Sequence, residues 1–258
     1  MRGVLNTILG AFLFFSSLHP AFGWLEEREI KPYLIRSEFA LQNVQSLVND
    51  LGDLQADIER QLKLTCEVHE IQIHLFRNRG GYQNYLRQRG LDGLNRQAMF
   101  VQHDVGRVYA YRQFAIGANE KLERDVRHET THALLHTALP FVPIWLDEGL
   151  AEYFEEPPAL REKHAKHGHE LTGAVRYGWR PAIERLEAKR NLAEMNSEND
   201  YRDAWGIVHY LLHGPPAAQE ALSVYLKEIQ SGKPPTPLSQ HLRKRIPNLE
   251  QSIVNHLK

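Results

Sequence analysis

Residues 128–132 read His128-Glu129-Thr130-Thr131-His132, and residues 145–154 read Trp145-Leu146-Asp147-Glu148-Gly149-Leu150-Ala151-Glu152-Tyr153-Phe154. Side chains four apart on a helix project from one face, so His128 and His132 can grip a single metal ion. Glu129 adjoins that face, where a carboxylate can take a proton from water activated by the metal. Glu148 can supply the third ligand and leave a fourth position open, which is what a catalytic zinc site needs. Such a site performs hydrolysis, and a peptide bond is the expected target.

By chance, a chain with 14 His and 23 Glu in 258 residues matches the five-residue pattern about 0.07 times, so its setting must decide its weight. Lys121 to His136 reads as a helix, with Leu122, Val126, Ala133 and Leu134 or Leu135 available to pack inward. Pro140 and Pro143 stop it, and Ile144 to Glu155 reads as a second helix bounded by Pro157-Pro158. Two helices joined by so short a link can fold back and bring Glu148 to the histidine face. His136 continues the histidine spacing, but three ligands on three successive turns would span about 12 Å, too far for metal–nitrogen bonds of about 2.1 Å. His136 is expected to support the site or lie on the helix surface. Taken singly, Asp147, Glu148, Glu152, Glu155 and Glu156 read as a solvated acidic face, and only the setting lifts Glu148 out of that reading.

HETTH followed by WLDEGLAEYF resembles the gluzincin metallopeptidases, in which a downstream Glu in an EG(L/F)A helix completes the zinc site. Within them it is most similar to the secreted bacterial peptidase-MA-like group. The resemblance is specific over residues 121–156 and loose from about 30 to 215. It implies zinc ligands His128, His132 and Glu148, and Glu129 as general base. It also implies an α+β, zincin-like fold: a small mixed sheet, a metal-binding helix and a helical C-terminal lobe. A strand just before the metal helix would form the sheet edge over the cleft. Glu152, one turn after Glu148, corresponds to a carboxylate that steadies a ligating His. The aminopeptidase branch holds the substrate amino terminus with a Gly-Xaa-Met-Glu-Asn segment, which this sequence lacks.

In that chemistry, water on zinc is acidified to a pKa of about 7, Glu129 accepts its proton, and an oxyanion forms at the peptide carbonyl. A donor to that oxyanion can be worth ~10² in rate. Tyr201 is the expected donor, because Tyr-Arg-Asp-Ala-Trp resembles a Tyr-Xaa-Xaa-Ala-Trp segment downstream in the family. The competing reading is core packing, since Tyr201, Trp205, Val208 and Leu212 form an apolar helix stripe. A rival for the whole site is a non-catalytic exported zinc-binding scaffold. Glu129 speaks against it, because a structural site has no use for a base.

Met1-Arg2, an apolar run from Gly3 to Leu18, and small residues at 21 and 23 make a secretory signal peptide over 1–23. Export to the periplasm or beyond is expected, with no stable membrane association. The remainder, 24–258, suits one domain, with an α/β lobe over 24–137 and a helical lobe over 138–258. Removing Arg2 leaves 30 basic against 32 acidic residues, a net charge of −2, which suggests no nucleic-acid partner. Cys66 is the only cysteine and is expected to be inert. The expected partner is a peptide or protein substrate, and the expected cofactor is Zn2+.

Elsewhere, Ser37 to Leu64 reads as a helix capped by Ser37, Glu70 to Phe76 as a half-buried strand with Gln72 and His74 on its polar side, and Tyr82 to Arg89 as a short helix. Ala98 to Gln102 and Val108 to Arg112 read as a hairpin in which Tyr109 and Tyr111 pack. The polar segment Lys163 to His169 reads as a solvated loop or helix end. Pro181 to Leu192, Asn199 to His213, Gln219 to Gln230 and Pro247 onward read as helices.

Overall fold

The computed structural model describes residues 23–258 except 164 and 196. The expected signal peptide lies outside the described residues, apart from Gly23. The fold is mixed α+β, with one five-stranded sheet. Its strands are β1 (Glu26–Ile30), β2 (Tyr33–Ser37), β3 (Ile71–Phe76), β4 (Ala98–Gln102) and β5 (Gly106–Tyr111), in the order β1-β2-β3-β5-β4. The two central pairings, β2 with β3 and β3 with β5, are parallel, and both edge pairings are antiparallel.

Ten helices are described: α1 (Gln45–Leu62), α2 (Arg79–Gln88), α3 (Ala118–Ala138), α4 (Ile144–Phe154), α5 (Ala165–Arg176), α6 (Ile183–Glu187), α7 (Glu198–His213), α8 (Pro216–Gln230), α9 (Leu238–Arg245) and α10 (Leu249–His256). None of the described helices is long and apolar enough to cross a membrane.

Period-two alternation sorts the sheet residues between two cores. Ile71, Ile73 and Leu75 of β3, with Val108 and Ala110 of β5, join the core that includes α1 and α3. Phe76, Tyr109 and Tyr111 face the other way and pack with Tyr82 and Tyr85 of α2, as expected for the two hairpin tyrosines. That second face is also covered, which corrects the expectation for His74. The imidazole is buried, stacked on Tyr109 with ring centroids 5.0 Å apart, and Trp24 lies 5.3 Å away. Burial, followed by the charges of Arg36, Arg89 and Arg107, pushes its pKa down to about 3.

Three other expectations need correction. Ser37 does not cap a helix; it ends β2, where its hydroxyl bonds to Phe39, and the α-helix begins at Gln45. The segment expected over 163–169 as a solvated loop or helix end does run into the first turns of α5, but it is not wholly solvated, because α5 buries His167 along with Leu171. The helix expected over 181–192 is confined to 183–187, and beyond it the Arg190 amide donates to the Glu194 carboxylate at 2.8 Å instead of to a helix carbonyl. Cys66 is buried, and burial followed by the charge of Glu59 raises its thiol to about 11, so it is inert as expected.

Two packing relations place the chemistry. α3 lies across β4 and β5 and against α4. α4 packs against α7 more extensively than any other helix pair among the described elements. Gly149 makes that approach possible: a Cβ there would meet the Ala204 carbonyl oxygen at 2.9 Å and Val208 Cγ2 at 2.9 Å.

Candidate metal centre

α3 carries His128, Glu129 and His132, and α4 carries Asp147, Glu148, Glu152 and, at its C-cap, Glu155. Pro143 at the α4 N-cap accepts from the Leu146 and Asp147 amides at 2.9 and 3.0 Å, so the turn after α3 is short and the two helices run side by side. The Glu148 carboxylate faces both histidines: Oε2 lies 3.5 Å from His128 Nε2, and Oε1 lies 3.8 Å from His132 Nε2. Ligand atoms of these three residues all lie within 4.8 Å of one another. Two imidazole nitrogens and one carboxylate oxygen, converging so closely, fit zinc.

The far nitrogen of each imidazole is also held. His128 Nδ1 lies 2.9 Å from Glu155 Oε2, and His132 Nδ1 lies 2.8 Å from Asp147 Oδ1. Each carboxylate accepts the Nδ1–H, which orients the ring and turns its Nε2 toward Glu148. Asp147 Oδ2 also accepts from His136 Nε2 at 3.0 Å, so His136 supports the site one residue removed. Glu155 is anchored in turn: buried Arg127, next to His128, donates to the Glu155 carbonyl and to Asp50 of α1.

Burial alone disfavours a charged His128, but hydrogen bonds to Glu148 and Glu155 outweigh it and hold the imidazole well above its ordinary pKa. Burial also opposes ionisation of Asp147 and Glu148, and the neighbouring histidines reverse this, holding both carboxyls below their ordinary values. A proton here occupies the place that a cation would take.

No family model matches this chain, and no curated protein matches it. Its chemistry is therefore read from its own side chains.

The centre opens into a cleft of 550 Å³ walled by Arg96, Phe100 and Gln102 of the β4 side, Glu129, His136, Leu192 and Tyr201. β4 is a sheet edge, and Phe100 and Gln102 bring it to the cleft. Glu129 is half-buried in the wall beside the histidines. Tyr201, on the first turns of α7, packs on the core, as the competing reading expects, and it also lines the cleft. Burial, then the charge of Glu148, raises the phenol pKa, so the hydroxyl keeps its proton and can donate.

Glu152 also lines the cleft, within 4.8 Å of ligand atoms of His128 and Glu155. Its Oε2 accepts a hydrogen bond from His167 Nε2 of α5 at 2.8 Å. The carboxylates on the imidazoles' far nitrogens are Asp147 and Glu155, which the sequence reading left on a solvated face. Asp147 precedes Glu148 directly and Glu155 follows it by two turns, a spacing that could have put both under suspicion. His167 was missed as well. Its stripe with Leu171 and Val175, four residues apart, is the signal that marks the buried side of α5.

Proposed function

We propose that the chain is an exported zinc metallopeptidase of the gluzincin type, with His128, His132 and Glu148 as ligands. One observation carries this reading: both Nε2 atoms face a single carboxylate while each Nδ1 is held by another. The opening into a 550 Å³ cleft favours catalysis over a scaffold role, since a structural zinc site closes its fourth position.

Zinc bound there would supply a Lewis acid that acidifies water and polarises a carbonyl. Glu129 takes the proton of the attacking water and passes it to the leaving nitrogen as the C–N bond breaks. The Tyr201 hydroxyl, kept protonated, donates to the carbonyl oxygen as that oxygen gains charge. Asp147 and Glu155 hold the imidazoles in register throughout.

Glu129→Gln removes the base and keeps the shape of the wall. It should retain zinc and lose turnover of a peptide library, whereas Tyr201→Phe should retain zinc and slow turnover by ~10². Full turnover in Glu129→Gln would refute the assignment of the base.

A further inference from the structure

Strand β1 begins at the end of the sheet where β2, β3 and β5 finish, because β1 runs antiparallel to the other three. Backbone bonds tie that end together strand by strand. The Leu25 amide donates to the Ser37 carbonyl at 2.7 Å, the Glu38 amide to the Leu75 carbonyl at 3.0 Å, and the Arg112 amide to the Phe76 carbonyl at 3.0 Å. Three strand spacings put Leu25 about 14 Å from Arg112. Beyond Arg112 the chain leaves the sheet as the loop that precedes α3.

This end is apolar where a soluble fold has reason to be polar. Phe114 and Ile116 of the loop stand fully in solvent, and Leu25 is 61% exposed. An open apolar cluster of this kind marks a surface that something covers. The loop curls around a hollow of 630 Å³ lined by residues 112–120, so its tip stands off the body of the fold. A protruding tip has no walls to seat a folded partner's side chain, whereas a fluid apolar layer closes around it.

Charge and chain connectivity point to the same occupant. Arg77 and Arg79, exposed after β3, and half-buried Arg112 flank the base of the loop. Among the nearby carboxylates, Glu26 accepts from the Leu41 amide and Glu38 from the Arg77 amide, while Glu120 is exposed in the first turn of α3. Guanidinium groups below an apolar tip match lipid phosphates above acyl chains. The sequence before Leu25 also carries the apolar run from Gly3 to Leu18, and six residue steps separate Leu18 from Trp24. Fully extended, they span about 20 Å, so a membrane that takes up the run during export lies close to this end.

We infer that this end of the sheet docks on an anionic lipid bilayer, with Phe114 and Ile116 inserted at the headgroup boundary and Leu25 beside them. The contact is peripheral, and it does not depend on the peptidase reading. It would set the cleft beside the membrane, because Gln113 donates to Gln97 at 2.6 Å and Gln97 walls a hollow that reaches His128 and Glu129.

The test is flotation of the purified exported protein with vesicles of phosphatidylglycerol and phosphatidylethanolamine, against vesicles of phosphatidylcholine alone. The protein should float with the anionic vesicles and several-fold less with the neutral ones. The double variant Phe114→Ser, Ile116→Ser should keep its Tm and lose about tenfold or more in partitioning. In a second variant, Phe114→Trp, bromine-labelled acyl chains should quench the added emission. No flotation, equal flotation with both vesicles, equal flotation of the double variant, or an unquenched Trp at 114 would overturn the inference. Dimers that the double variant abolishes, with no flotation, would overturn it in favour of a second copy of the chain.

Discussion

Gly149 lies so close to Ala204 that the two helices meet backbone to backbone: a Cβ on Gly149 would come 2.9 Å from the Ala204 carbonyl oxygen. The residue before it is Glu148, so the glycine next to the candidate ligand sets how deeply α4 sits against α7. Gly149→Ala should force the helices apart. Overpacking of this kind costs about 1–3 kcal/mol, read as a lower denaturation midpoint. It should also weaken zinc binding, because Glu148 moves with its helix. Unchanged stability and zinc affinity would show that the spacing is not critical.

Asp147 and Glu155 each hold an imidazole through the nitrogen that faces away from Glu148. Asp147→Asn and Glu155→Gln keep the shape and remove the negative charge. Each should weaken zinc affinity by about 10–100-fold, measured by competition with a chromophoric chelator. Glu156→Gln, whose carboxylate pairs with Arg124, serves as the control and should change little. Equal affinities across the set would mean that the imidazoles need no such partners.

A second histidine cluster makes the fold sensitive to acid. His209 donates through Nε2 to the Glu162 carbonyl at 2.9 Å and meets His256 Nε2 at 2.9 Å, while His213 bonds the Tyr153 hydroxyl at 2.7 Å. Burial, then the proximity of His213 and His256, lowers the His209 pKa from its ordinary 6.5 to about 4. Burial lowers His213 and His256 too, with Glu162 opposing the shift at His213. Below pH 6.5 the unfolded chain takes up protons that the folded chain refuses until nearer pH 4, so stability falls as pH drops through that window. Tm should decline from pH 6.5 to 4, and less steeply in His209→Gln. Identical slopes in the two proteins would refute this account.

The parts of the fold legible in the sequence were those whose pattern has one physical meaning. α3 and α4 were legible because histidines four apart, an apolar stripe and two prolines agree on where the helices run and stop. β3 and the β4–β5 hairpin were legible from alternation. Strands β1 and β2 were not, because Glu26-Glu27-Arg28-Glu29-Ile30 pairs through backbone bonds that charge does not reveal. His74 defeats the alternation rule because α2 and Trp24 cover the second face of the sheet, a tertiary fact absent from any local window. The same limit hid Asp147 and Glu155. Carboxylates on an acidic helix look alike until the partner helix shows which of them reach an imidazole.

The most direct test of the central claim is the zinc content of the purified, tag-free protein after chelation, re-equilibration with zinc and dialysis, alongside Glu148→Ala. About one zinc per chain is expected, with most of it lost in Glu148→Ala. No zinc retained after excess metal, or full retention in Glu148→Ala, would contradict it.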